Sequence, residues 1–267
     1  MPQTRIQSSF SALLSGGRKA LIAYLAAGDP SPERTPDFVA ALERGGVDLI
    51  ELGVPFSDPI ADGPVIQRGS DRALKAGTSV RKVLEIARKI RETSQIPLVL
   101  FTYMNPILRY GLDELARDAK AAGIDGCLLT DLSVEEASPY VGAMRSAGLD
   151  TVFLAAPTST PERLKLVAEY STGFVYLVSR TGVTGERASI SESLAPLVTA
   201  VRASTKLPLA AGFGISTPEQ AAAVAKMADG VVVGSAIVRL IEQNAGEAGL
   251  EKFARSLRQG IDASRNR

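Results

Sequence analysis

Short apolar runs recur along the chain at intervals that each hold one helix. They are Ala20–Leu25, Asp48–Gly53, Leu98–Thr102, Gly126–Thr130, Thr151–Ala155, Phe174–Ser179, Leu207–Ala211 and Gly230–Val233. Most are continuous rather than alternating, which is how strands covered on both faces of a parallel sheet read. Between them, polar and apolar positions follow a helical period over Pro36–Arg44, Val80–Thr93, Asp113–Ala122, Glu136–Ala147, Pro161–Glu169, Ser193–Ala203 and Pro218–Ala225. Two of these open as Thr160-Pro161-Glu162 and Thr217-Pro218-Glu219, with Pro just inside the first turn as helix starts favour. One device repeats between helix and strand: a Gly, then an acidic residue, then the strand. It stands in Gly45-Gly46-Val47-Asp48, Gly123-Ile124-Asp125 and Gly148-Leu149-Asp150, with a variant in Ala228-Asp229-Gly230. Gly suits the residue after a helix because it accepts the left-handed conformation cheaply. Eight such strands with crossover helices predict an α/β chain, a single (β/α)8 TIM barrel over residues 1–267. An extra N-terminal helix, about Ile6–Leu14, precedes the first strand. The competing architecture is an open doubly wound sheet.

Composition narrows the chemistry more than the fold. The chain has 267 residues, close to the roughly 250 of a typical barrel. Its net charge of +1 offers no long-range attraction to nucleic acid or an anionic membrane. No apolar run approaches the roughly 20 residues of a membrane span, and Leu21–Ala27 is too short and too far along to be a signal-peptide core. A single cysteine, Cys127, excludes an intrachain disulfide, fits a reducing cytoplasm and reads as a small core residue. There is no histidine at all. That argues against a zinc site and a Ser-His-Asp triad, leaving acid–base work to carboxylates, Tyr or Lys. No metal is expected.

In such a barrel the active site lies at the C-terminal ends of the strands. Glu51 interrupts an otherwise apolar second strand, between Ile50 and Leu52. A carboxylate there is either turned outward to a helix, hydrogen-bonded, or reached through the barrel mouth, where desolvation raises its pKa toward neutrality. The loop after it runs Gly53-Val54-Pro55-Phe56-Ser57-Asp58-Pro59-Ile60-Ala61-Asp62-Gly63-Pro64, too long for a plain connector. On their own, Asp58 and Asp62 read equally well as turn-making residues. Asp131, at the end of strand 4, reads as a cap or a loop anchor as readily as a functional acid. Ser179-Arg180-Thr181-Gly182-Val183-Thr184-Gly185, Gly212-Phe213-Gly214 and Gly234-Ser235 follow the last three strands. Glycine-rich turns and a helix start in those places suit a phosphate cradle. Every lysine falls in a helix or before a strand, so none stands where a Schiff-base aldolase needs one.

These residues resemble the tryptophan synthase α chain family. The resemblance rests on Glu51-Leu52-Gly53-Val54-Pro55-Phe56-Ser57-Asp58-Pro59 with Ala61-Asp62-Gly63-Pro64. It continues in Gly28-Asp29-Pro30, Tyr103-Met104-Asn105-Pro106, Asp131 with Glu135-Glu136, Ser179-Arg180 with Gly182-Val183-Thr184-Gly185, Gly212-Phe213-Gly214-Ile215 and Gly234-Ser235-Ala236. It implies metal-free retro-aldol cleavage of indole-3-glycerol phosphate to indole and glyceraldehyde 3-phosphate. It aligns Glu51 with the acid/base at indole C3 and Asp62 with the carboxylate at the indole N–H. Gly185, Gly214, Gly234 and Ser235 align with the phosphate site, and Tyr24, Phe101, Leu128, Tyr176 and Phe213 with the indole pocket. Thr184 aligns with a loop residue that closes toward Asp62. The resemblance also implies an α2β2 assembly with a β subunit, near the strand-2 loop and Asn105-Pro106. That partner carries pyridoxal phosphate and receives the indole, and this chain holds no cofactor. Two positions depart from the pattern: Tyr24 stands in place of Phe, and Ser133 in place of the Pro after Asp131. Other phosphate-binding barrels compete, a pentose-phosphate epimerase or an indole-glycerol-phosphate synthase. The first wants metal-binding His and the second a strand-end Lys. A catalytically silent barrel that activates a partner would not need Glu51 and Asp62.

Overall fold

A computed structural model of the chain describes residues 3–178 and 187–264, without the side chains of 187–193. Its eight strands are β1 Ala20–Ala26, β2 Leu49–Gly53, β3 Leu98–Thr102, β4 Gly126–Leu129, β5 Asp150–Ala155, β6 Val175–Val178, β7 Leu209–Gly212 and β8 Gly230–Val233. They pair in parallel in chain order, and β8 returns to β1 to close the barrel. The open sheet is thereby excluded. The seventh strand starts two residues later than its apolar run, after Pro208, which has no N–H to give the ladder. Three helices were not evident from periodicity, Pro64–Lys75, Met104–Tyr110 and Gly246–Ala263. The first contains Gly69, whose Cβ would come within 2.8 Å of Val238 and 3.1 Å of the Asp29 carboxylate. Close packing there requires a residue that lowers helix propensity.

Period two divides each strand between two cores. Outward residues such as Leu21, Ile50, Leu52, Leu100, Cys127 and Leu177 pack under the helices. Inward residues such as Ile22, Leu49, Val99, Leu128, Val152, Ala210 and Val232 fill the barrel. The N-terminal helix, Arg5–Ser15, closes the bottom by adding Ile6, Phe10 and Leu13 to that inner core. Cys127 is fully buried in the outer layer, which pushes its thiol up to about 12. It is a packing residue.

The repeated acidic residue before a strand has a structural explanation. Asp48 accepts from the Leu21 backbone N–H at 2.8 Å, Asp125 from Leu98 at 2.9 Å and Asp229 from Leu209 at 3.0 Å. Each carboxylate satisfies an N–H on a neighbouring strand and then meets a cation: Arg258 for Asp48, Arg91 and Arg5 for Asp125, Lys19 and Arg202 for Asp229. Asp150 instead holds Thr4 and Gln7 of the N-terminal helix. The floor of the barrel is thus clamped by carboxylates that are all engaged.

Candidate active site

Carboxylates at the other end of the barrel are placed differently. Glu51 follows Leu49 by two residues, so it shares the inward face, while Ile50 and Leu52 face the helices. The outward alternative for Glu51 is therefore excluded. Its residue is 0% exposed, and among the described residues neither carboxylate oxygen has a hydrogen-bond partner. Burial alone pushes its pKa up to about 8. At neutral pH most of it is protonated, and it can give or take a proton within about a unit of physiological pH.

Asp62 enters from the loop after β2. Tyr103, at the end of β3, donates to its Oδ2 at 2.9 Å and accepts from the Ala61 backbone N–H at 3.1 Å. One phenol thereby holds both the carboxylate and the turn carrying it. Gln67 binds the Asp62 carbonyl at 2.9 Å, and Ser70 binds the Phe56 backbone at both ends, at 2.9 and 3.1 Å. Burial pushes Asp62 up to about 6, against the lowering effect of the Tyr103 hydrogen bond. Asp58, which shared the turn reading, is an exposed residue bonded to Ser57. Asp131 accepts from the Met104 backbone N–H at 2.7 Å and so anchors a neighbouring helix start.

Both carboxylates open on one cavity of about 360 Å³, within the usual size of small-ligand pockets. Tyr24, Phe101 and Tyr176 line it, as do Gly214, Gly234 and Ser235. Leu128 is one step too deep. It packs inside the barrel beside Phe101 and Tyr176, and Thr130, two residues on, reaches the wall. Phe213 has the parity of Leu209 and Ala211 and lies in the outer layer. Neither Leu128 nor Phe213 is on the cavity wall. Thr184 and Gly185 lie outside the described residues. Leu154, Val178, Val232, Ile66 and Thr130 also line it and were not anticipated. Counting by twos from the inner-core residues Leu128, Val152 and Phe174 reaches Thr130, Leu154 and Val178, and Val232 is itself an inner-core residue; Ile66 belongs to a helix that periodicity did not reveal.

Glycines make room for the two tyrosines of the wall. A Cβ on Gly53 would fall 2.3 Å from the Tyr24 hydroxyl, and one on Gly212 would fall 2.5 Å from that of Tyr176. At the mouth, Gly214 has φ +66° and Gly234 caps the helix Ser235–Glu242 without a side-chain cap bond. That leaves the first-turn N–H groups of this helix toward the cavity, where an anion would satisfy them. Among the described residues no cluster of side chains suited to a metal ion occurs, and no helix is long and apolar enough to cross a membrane.

The sequence pattern of the tryptophan synthase alpha chain matches residues 10–263. The chain belongs to that family. It is 69% identical over 264 residues to the tryptophan synthase alpha chain of Solibacter usitatus (strain Ellin6076), covering 97% of this chain and 99% of that one. Identity to the alpha chain of Geobacter sp. (strain M21) is 51% over 261 residues, covering 97% and 98%. Among solved structures, the alpha subunit from Legionella pneumophila str. Paris superposes with a TM-score of 0.91 at 38% identity, over 98% of this chain and 100% of that one. A chain of Mycobacterium tuberculosis tryptophan synthase gives 0.90 at 40% identity, over 97% and 99%. Family membership makes the chain a TIM-barrel lyase of tryptophan biosynthesis.

Proposed function

We propose that this chain cleaves indole-3-glycerol phosphate to indole and glyceraldehyde 3-phosphate, with Glu51 and Asp62 as the catalytic residues. The observation that carries the reading is Glu51, an unpartnered buried carboxyl with a pKa near neutrality, sharing a cavity with a second, better-held carboxylate. The bond from indole C3 to the glycerol carbon breaks only after C3 gains a proton, which makes the ring an indolenine with positive charge at nitrogen. Glu51, protonated at neutral pH, supplies that proton. The resulting carboxylate takes the proton of the adjacent glycerol hydroxyl as the aldehyde forms, so Glu51 returns to its starting state. Asp62, ionised above its pKa of about 6, accepts from the indole N–H and balances the charge. Two carboxyl groups in unlike surroundings divide the acid and the anionic roles.

Gly214, Gly234 and Ser235 at the cavity mouth hold the phosphate. Tyr24, Phe101 and Tyr176 flank the ring. The reaction needs neither metal nor cofactor in this chain. A β subunit carrying pyridoxal phosphate takes the indole in an α2β2 assembly in the cytoplasm. Ile60, 85% exposed on the strand-2 loop, and Leu108, 61% exposed beside Pro106, fit the contact surface for it.

Two pKa values define the test. Activity is expected to fall as pH drops through about 6, because Asp62 becomes neutral. It falls again as pH rises through about 8, because Glu51 no longer has a proton to give. The profile of kcat/KM for indole release, with and without a β subunit, is therefore bell-shaped. Full activity at pH 5, or no indole release by the purified chain in either condition, overturns the reading.

A further inference from the structure

Tyr24 and Glu51 are Cα partners across the β1–β2 ladder, yet the phenol does not stop at Glu51. Its hydroxyl and ring tip lie directly over Gly53, where a Cβ would come within 2.3 Å of the oxygen and 2.6 Å of Cζ. The ring then meets Phe101 of β3 edge-on, with centroids 5.1 Å apart and planes at 73°. The hydroxyl is thereby carried across β2 to the side where Tyr103, just past β3, holds Asp62. Phe101, its edge-on neighbour, offers no acceptor. A phenol in that position needs one when an apolar ring displaces water from the cavity.

We propose that with indole in the cavity the Tyr24 hydroxyl donates to Asp62, giving this carboxylate a second phenolic donor opposite Tyr103. Tyr24 is then a positioning residue that acts on the substrate through Asp62, and the inference rests on the reading of Asp62 given above. Electrostatics agree with the placement. Ionisation of Tyr24 is opposed first by burial, then by Asp62, Tyr103, Glu51 and Asp29 in that order. Ionisation of Tyr176, on the far wall, is opposed by burial, then by Glu51 ahead of Asp62. The titratable groups around Asp62 among the described residues are thus Tyr24 from β1, Glu51 from β2, Tyr103 after β3 and Tyr176 from β6. Asp29 lies behind Tyr24 with its charge paired to Arg72 at 2.7 Å. Of these, the phenols can hold Asp62 in its ionised form, while Glu51, once ionised, repels it.

The test is a carbon-13 titration of the Asp62 carboxyl in the full chain saturated with indole, the resonance assigned by its loss in Asp62→Asn. In Tyr24→Phe the Asp62 titration is expected to move up by about one pH unit, as loss of a hydrogen bond to a carboxylate does. The acid limb of kcat moves with it, so at pH 5.5 kcat falls by a factor of about eight relative to the native chain, and by less above neutrality. Tyr103→Phe, which removes the observed donor, gives the reference size of the effect. An Asp62 titration unmoved in Tyr24→Phe but moved in Tyr103→Phe overturns the proposal, as does a kcat loss of equal factor at every pH. If Asp62→Asn keeps full activity, the catalytic reading of Asp62 fails, while the titration still decides whether Tyr24 holds it.

Discussion

Glu51→Gln is expected to lower kcat for indole release about a thousandfold, within the range general acid–base groups contribute, while leaving the barrel intact. The substitution keeps the shape of the side chain and removes its only exchangeable carboxyl proton. Among the described residues no neighbour can replace it, because the chain has no histidine and the other carboxylate lining the cavity is tied to Tyr103. The same variant should report on stability in the opposite sense. Glu51 ionises near its usual 4.5 when unfolded and at about 8 when folded. Between those values the folded chain binds more protons than the unfolded one, so native stability falls as pH rises from 4.5 to 8 and then levels off. The shift corresponds to on the order of 5 kcal/mol at high pH. The Gln variant lacks that slope and should resist denaturant better than the native chain at pH 9. Near-native indole release by the variant, or an unchanged slope of stability with pH, would each contradict the role of a buried, unpaired carboxyl.

Much of this arrangement is legible in the sequence, and the gaps have physical causes. Buried parallel strands announce themselves as continuous apolar runs, so all eight were placed, most within a residue or two of their bounds. Glu51 stood out because an acid on such a strand breaks the run. Asp62 did not, since an Asp in a Gly- and Pro-rich loop has the same composition whether it turns the chain or faces a ligand. What separates Asp62 from Asp58 is the phenol of Tyr103, 41 residues away in sequence, and no local pattern carries that. Leu128 and Phe213 lie outside the residues that line the cavity for different reasons. Position along the strand decided the first, which sits one rung below the wall, and parity decided the second, which faces the helices. The helix Pro64–Lys75 escaped because Gly69 answers a close approach to Val238 rather than a local preference.

The acids before the strands pose the converse problem, and Asp125→Ala should expose it. Asp125 is 2% exposed. It accepts from the Leu98 N–H at 2.9 Å, from Arg91 Nη2 at 2.8 Å and from Arg5 Nη1 at 2.8 Å. Removing the carboxylate leaves a buried N–H without its partner and strips Arg91, itself largely buried, of its counter-ion. The remaining bonds of Arg91, to the carbonyls of Gly123, Ser94 and Ile96, bring no negative charge. Breaking one partner out of a buried pair costs roughly 3–5 kcal/mol, which for a chain of this length lowers Tm by about 10 °C. Asp125→Asn keeps an acceptor for Leu98 and should cost less, with the difference measuring the charge. Indole release per folded molecule should stay native in both, because Asp125 lies at the floor of the barrel and the cavity at its mouth. Thermal and denaturant unfolding decide the matter: a loss below about 1 kcal/mol for the Ala variant would mean water satisfies Arg91 and Leu98 as well as Asp125 does. A full loss, set beside a Glu51 variant that keeps its fold, would divide the carboxylates of this barrel by the end they occupy. Those at the floor are spent on strand N–H groups, basic side chains and the N-terminal helix, and at the mouth Glu51 is left free to move protons.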